Sequence, residues 1–283
     1  MRTAVLFVVA AAPVALPAAA DIVSIVPDKD NTLYQYVPEE FEGPLSNGAG
    51  SHVFSGVNAF GRIRRALLRF DVAGAIPAGS VVTAATLRLN VSQSQSGEAP
   101  FTVHAVLADW GEGLAEAPGN GGAGATADAG SATWFARFYP GDPWSIPGGD
   151  FSSSASATLI AGFGGPCQVT APGLASDIQG WLDNAAANFG WCIVGPEGST
   201  RTAKRFDSSE NPEEAVRPLL TVVFTPPVGC VGDYNQDGGV DGADVEAFYA
   251  DWESGDAAAD LNQDGGVDGA DVESFFAAWE NGC

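Results

Sequence analysis

Apolar and polar residues alternate with a period of two along several stretches of the 283-residue chain. Ala85, Leu87, Leu89 and Val91 share one side of segment 83–91. Ala66, Leu68 and Phe70 share one side of 65–70, and Phe101, Val103, Ala105 and Leu107 one side of 101–107. A further apolar run over 219–224 closes this part of the chain. Successive side chains of extended backbone point to opposite faces, so this period predicts half-buried strands. The spacing changes once. Leu174, Ile178, Trp181 and Leu182 recur at i, i+4, i+7 and i+8, which predicts an amphipathic helix between Pro172-Gly173 and Asn188-Phe189-Gly190, followed by a strand over 191–194. Many short strands separated by Gly, Pro, Asn and Ser predict a mainly β fold over residues 21–225, a jelly-roll-like β-sandwich with one short helix. Residues 113–131 lack periodicity and read as a mobile loop.

The first twenty residues follow a different pattern: Arg2, an apolar run over 4–16, and Ala18-Ala19-Ala20 before Asp21. This predicts a secretory signal peptide over 1–20, and so an extracellular or cell-surface protein. No other segment is long and apolar enough to predict a membrane span. Four cysteines in an oxidising compartment are expected to pair. Three pairings exist. Cys230 and Cys283 flank the C-terminal region and would clip its ends, leaving Cys167 for Cys192.

Charge sharpens the division. The net charge is −23, from 35 Asp+Glu against 12 Lys+Arg, which excludes a polyphosphate partner such as nucleic acid. Two histidines exclude a His-rich metal centre. Fourteen of the acids, and no base, lie within 229–283, beyond a Pro226-Pro227 break that opens a linker over 226–229. There Asp233-Tyr-Asn-Gln-Asp-Gly-Gly-Val-Asp-Gly-Ala-Asp-Val-Glu returns 27 residues later from Asp260, with thirteen of fourteen positions identical. A twelve-residue calcium loop takes oxygen ligands from positions 1, 3, 5, 7, 9 and 12 and needs glycine at 6. The first repeat places Asp233, Asn235, Asp237, the Gly239 carbonyl, Asp241 and Asp244 there, and the second Asp260, Asn262, Asp264, the Gly266 carbonyl, Asp268 and Asp271. Two Ca²⁺ ions are expected. Val245, Phe248, Tyr249 and Trp252, and then Val272, Phe275, Phe276 and Trp279, predict an apolar helix after each loop.

Loop-plus-exiting-helix repeats with Asp at position 12 resemble the type I dockerin over residues 230–283. The resemblance implies a small α-helical, EF-hand-like calcium domain that docks onto a cohesin-like or other exported protein. Loop positions 10 and 11, usual partner contacts of that family, are Gly242-Ala243 and Gly269-Ala270, smaller and less polar than the Ser/Thr-bearing pairs typical of it.

The preceding block also has a recognisable order of motifs. Asp30-Asn31-Thr32-Leu33-Tyr34, Asn47-Gly48-Ala49-Gly50, Arg64-Arg65-Ala66-Leu67-Leu68-Arg69-Phe70-Asp71, Asp109-Trp110-Gly111-Glu112-Gly113, Gln179-Gly180-Trp181-Leu182 and Arg217-Pro218-Leu219-Leu220-Thr221-Val222 follow one another. This order resembles the DNRLRE (disaggregatase-related) domain, although Ser208-Ser209-Glu210 stands where relatives often show Ser-Arg-Glu. The resemblance implies a non-catalytic extracellular module, with polysaccharide binding in some relatives. Trp110, Trp134 and Trp144 are candidate platforms for sugar rings, and Arg65, within the cluster Arg62, Arg64, Arg65 and Arg69, a candidate contact to an acidic polysaccharide. The competing readings are a polysaccharide hydrolase or lyase and a purely structural surface protein. A hydrolase needs only two opposed carboxylates, for which Asp109, Glu112, Asp150 and Glu210 are candidates. Their other reading is as solvated loop acids or ligands of a further structural Ca²⁺ in the sandwich.

Overall fold

The computed structural model describes residues 20–36, 43–227, 230–236 and 239–281. The chain divides into two compact units, one of residues 20–227 and one that holds the residues from 228 onward. All but the last residue of the expected signal peptide lies outside the described residues. Among the described residues no helix is long and apolar enough to cross a membrane.

The first unit runs β1 (Asp21–Ile25), β2 (Lys29–Tyr34), β3 (Leu45–Ser46), β4 (His52–Val57), β5 (Ile63–Arg69), α1 (Val72–Ala75), β6 (Val81–Ser94), β7 (Ala99–Ala105), β8 (Ala125–Thr126), β9 (Ala157–Ala161), β10 (Gly165–Thr170), α2 (Pro172–Asp183), β11 (Trp191–Val194), β12 (Lys204–Asp207) and β13 (Leu219–Thr225). The second holds α3 (Gly242–Ser254) and α4 (Gly269–Asn281).

The first unit is mainly β. Eleven strands join one antiparallel sheet in the order β1-β13-β6-β12-β4-β5-β11-β7-β9, with β10 added on β6 and β2 on β5. The sheet curls so that its two ends share one core. Ala85, Leu87, Leu89 and Val91 of β6 and Leu220 and Val222 of β13 meet Ala66 and Leu68 of β5, Phe101 and Val103 of β7 and Trp191 and Ile193 of β11 there. Helix α2 lies on this core with the four apolar positions its spacing picks out, Leu174, Ile178, Trp181 and Leu182, all buried. Pro172 fits its first turn because that position has no intrahelical use for an N–H. Leu107 differs from expectation. It is 61% exposed, because β7 ends at Ala105 and the chain turns away.

A second cluster covers the opposite face of β2, β5 and β11. Leu33, Leu67 and Cys192 pack there against Trp110, Trp134 and Trp144, which come from the irregular segment after β7. Both faces of β5 are therefore buried, which explains the adjacent apolar pair Leu67-Leu68. Residues 113–131 are tied down rather than loose. Ala49 N–H donates to Ala115 O, Asn47 Oδ1 accepts from Ala117 N–H at 2.7 Å, Leu114 N–H donates to Asp128, and β8 pairs with β3. Short polar anchors do here what hydrophobic periodicity does elsewhere.

The cysteine pairing needs correction. Cys167 and Cys192 are free thiols. Cys167 on β10 packs beside the inner core, whereas Cys192 on β11 faces the outer cluster, so a sheet separates them. Burial pushes the Cys192 thiol up to about 12 and the Cys167 thiol to about 11, which keeps both protonated. Cys230 is disulfide-bonded, and Cys283 lies outside the described residues.

In the second unit the sequence repeat becomes a structural one. Phe248 of α3 and Phe275 of α4 occupy equivalent positions and stack on each other, centroids 4.4 Å apart and planes within 7°. Trp252 Nε1 donates to the Asp268 carbonyl at 2.9 Å, and its equivalent Trp279 Nε1 donates to the Asp241 carbonyl at 3.0 Å. Each repeat thus holds the loop of the other.

Candidate functional site

Four strands of the first unit carry residues to one open cleft of about 140 Å³. Arg64 comes from β5, Arg205 from β12, Arg201 from the loop before it, and Phe54 from β4. Side-chain amides of Asn58, Gln93, Gln95 and Asn120 complete the polar lining. Register explains the convergence. Arg205 pairs with Phe54 on one side and Gln93 on the other, and Arg64 sits opposite Gly56. Gly56 has φ 108°, and a Cβ there would lie 2.8 Å from the Ala203 backbone, so only glycine allows this approach.

The described lining of the cleft is basic. Among the described residues its lining includes no carboxylate. Arg64 is buried, its guanidinium 4.7 Å from the Tyr34 ring centroid, its Nη1 donating to the Gln35 and Ile63 carbonyls, and its Nε without a partner among the described residues. Burial, reinforced by Arg62, lowers its pKa to about 10 against the opposing influence of Tyr34. Arg205 Nε donates to Ser92 Oγ at 3.0 Å, and Arg201 is exposed, with a left-handed φ of 64°. A cationic cleft is unusual surface for a chain of net charge −23.

The expected sugar platforms lie elsewhere and are corrected by their burial. Trp110 is fully buried with Nε1 donating to the Phe189 carbonyl. Trp144 is buried with Nε1 on the Thr133 carbonyl, and Trp134 is 6% exposed. None offers a ring face to a ligand. Arg65 makes a two-pronged pair with Glu197 at 2.8 and 2.9 Å, donates to the Gly148 carbonyl, and stacks on Trp134 and Phe151. Its valence is spent inside the fold. The arginines of the cleft were half legible: Arg64 belonged to the recognised cluster, whereas Arg201 and Arg205 join it only through the β4–β12 pairing.

The candidate carboxylates also separate. Asp109 pairs with Lys29 at 2.8 Å, and Asp150 accepts from the Ser145 and Ile146 N–H groups as a turn acceptor. Glu112 and Glu210 instead flank Asp30, which is fully buried. Asp30 N–H donates to Glu112 Oε1 at 2.7 Å, and Ser209 Oγ stands 2.7 Å from both Asp30 Oδ2 and Glu210 Oε1. Burial first, then the negative charge of Glu210, raises the Asp30 pKa well above its ordinary value. Burial likewise raises Glu112 to about 7, with Glu210 and Asp28 adding to it and the Asp30 N–H and Lys29 opposing. Groups whose folded pKa is raised hold protons that the unfolded chain has already lost. In chelator, stability of the first unit should therefore rise as pH falls from about 7 towards 4.5. After allowance for the partial exposure of Glu112, the gain should be about 1–2 kcal/mol. Thermal denaturation between these limits checks it, and melting that falls steadily with acidification contradicts it.

Of the residues that the repeat singles out as candidate calcium ligands, Asp233, Asn235, Gly239 and Asp241 precede α3 and Asp244 lies in its first turn, while Asp260, Asn262, Asp264, Gly266 and Asp268 precede α4 and Asp271 lies in its first turn. Asp237, with Gly238, lies outside the described residues. Asp244 Oδ1 and Oδ2 accept from the Asn235 and Asp241 N–H groups, and Asp271 does the same for Asn262 and Asp268. These backbone bonds, led by those from Asp241 and Asp268, hold both carboxyls below the usual range. In the second loop Asp260 accepts from the Asp264 and Gly265 N–H groups, with Gln263 at φ 56° and Gly265 at φ 92° bending the chain. The donor set is all oxygen and suits a hard cation. Among the described residues no three His, Cys, Asp or Glu side chains converge on one point as they stand. Searches against protein-family models and against curated proteins return no match for this chain.

Proposed function

We propose that the chain is a secreted, non-catalytic protein. Its first unit, read as a jelly-roll-like β-sandwich of DNRLRE type, recognises carbohydrate, and its second, dockerin-like unit binds two Ca²⁺ and docks onto an exported partner. The observation that carries this reading is the cleft of Arg64, Arg201 and Arg205 with its amides and Phe54 and no lining carboxylate among the described residues. Guanidinium groups pair with carboxylates or sulfates, amides suit sugar hydroxyls, and an aromatic edge suits the apolar face of a sugar ring. The ligand class is an anionic polysaccharide, bound through the cleft rather than through Trp110, Trp134, Trp144 or Arg65.

The test is binding of the purified chain to acidic and neutral polysaccharides. Acidic ones should bind and neutral ones should not. Arg205→Ala or Arg201→Ala should each weaken binding about tenfold, the cost of one charge-assisted hydrogen bond. Equal binding of neutral glycans, or indifference to both substitutions, overturns the assignment to this cleft. Release of reducing ends by the intact chain overturns the non-catalytic reading.

A further inference from the structure

The pocket around Asp30 is lined by acidic groups whose mutual repulsion only a proton or a cation can relieve. Asp30 is fully buried, and the charged groups nearest to it on both sides, Glu112 and Glu210, are also acidic. The neighbouring Lys29 does not act as its counter-ion: alternation along β2 sends its ammonium to Asp109 and the Trp110 carbonyl. Asp30 Oδ2 is satisfied by the Ser209 N–H and hydroxyl, both at 2.7 Å. Asp30 Oδ1 is buried and has no hydrogen-bond partner among the described residues. An unpaired buried carboxylate oxygen is among the costliest groups a fold can hold.

Ser209 makes the deficit explicit. Its single hydroxyl proton faces two carboxylate oxygens, Asp30 Oδ2 and Glu210 Oε1, each 2.7 Å away. Whichever oxygen receives it, the other contact becomes favourable only with a proton on that carboxyl or with a bound cation beside it. The site is short of positive charge, and its donors are all hard oxygens.

We propose that Asp30, Glu112 and Glu210 form a binding site for one divalent cation of the calcium class, separate from the two C-terminal loops. Asp30 Oδ1, the orphaned oxygen, is the anchoring ligand. Glu112 and Glu210 supply the flanking carboxylates. The three do not converge on one point as they stand. Glu210 has an exposed side chain, and closing the set requires it to exchange its bond from the Ser209 hydroxyl for the cation and turn towards Asp30. Six to eight oxygens at flexible angles are what calcium takes, whereas the lack of nitrogen and sulfur donors disfavours zinc or copper. The cation would lock β2 to the loop after β12 and to the segment carrying Glu112, three elements far apart in sequence.

The experiment counts bound Ca²⁺ in the full-length chain by equilibrium dialysis. The wild type is compared with Asp30→Asn, with Glu210→Gln, and with the double change Asp233→Ala and Asp260→Ala that disables both loops. The expected result is one Ca²⁺ per chain remaining in the loop-disabled protein. That ion should bind at least about tenfold more weakly when Glu210→Gln is added, and be lost with Asp30→Asn. Glu210→Gln alters an exposed residue and so tests the site even if the buried change disturbs folding. A loop-disabled chain that binds no Ca²⁺ overturns the proposal, as does a remaining ion that neither substitution affects. Failure of the loop reading shows separately, as a calcium count that the Asp233→Ala and Asp260→Ala changes leave untouched.

Discussion

Replacing Lys204 with methionine is expected to destabilise the first unit by about 3 kcal/mol. That lowers its melting temperature by roughly 6–12 °C for a domain of this size. Lys204 is fully buried on β12 with no carboxylate partner among the described residues. Its ammonium is caged instead by neutral oxygens: Ser94 Oγ at 2.8 Å, the Gly97 carbonyl at 2.9 Å, the Gly162 carbonyl at 2.7 Å and the Ser96 carbonyl at 3.1 Å. Burial lowers its pKa, so the charge itself is not what the fold gains from. The gain is structural. One ammonium ties the end of β6, the turn into β7 and the turn after β9 to a single point. Methionine keeps most of the stem's volume near Phe101 but leaves those acceptors unsatisfied. Calorimetry of the variant checks the size of the loss, and a change within about 0.5 kcal/mol, the range of an ordinary surface substitution, would sink this account.

The second large effect is calcium dependence of the C-terminal unit. In the full chain, EGTA is expected to abolish the helical signal of α3 and α4 and the Trp252 and Trp279 fluorescence signature, and excess Ca²⁺ to restore both. The apolar core of that unit is small. Phe248, Ala259 and Phe275 are its only fully buried apolar members among the described residues, with Tyr234, Trp252, Phe276 and Trp279 half-covered around them. A core of this size falls short of stabilising so short a unit. Each loop meanwhile gathers four aspartates, whose mutual repulsion works against order. Ion binding reverses the sign of that contribution, and at a thousandfold excess over Kd each site adds about 4 kcal/mol. Asp233→Ala and Asp260→Ala should each remove one site. A circular dichroism spectrum identical in Ca²⁺ and EGTA would falsify the calcium reading of the repeat.

Much of the architecture was legible because it rests on local periodicity. The stripe Leu174, Ile178, Trp181 and Leu182 became the buried face of α2, and the alternation over 85–91 became the inner face of β6. The aromatic spacing after each loop became the paired faces of α3 and α4. What escaped depends on contacts between distant segments. Trp110, Trp134 and Trp144 looked like surface platforms because their own segment has no period, and only the fold shows that this segment seals the outer face of β5. One signal was available: Leu67 and Leu68 are adjacent and apolar within an alternating strand, which implies that both faces are covered. Arg64, Arg201 and Arg205 are brought together by register across β4, β5 and β12. The orphaned oxygen of Asp30 is visible only once Ser209 and Lys29 are placed around it.

The crossed indole bonds of the C-terminal unit carry one more consequence. Trp252 closes the loop of the second repeat and Trp279 that of the first, so each half is completed by its twin rather than by itself. The connection between the halves is short and pinned, with Gly255 capping α3 in a left-handed conformation and Ala259 buried in the shared core. Damage to one half, such as loss of the Trp279 indole, is therefore felt first in the loop of the other half. The duplication that gives the unit its core also makes its two loops answerable to each other.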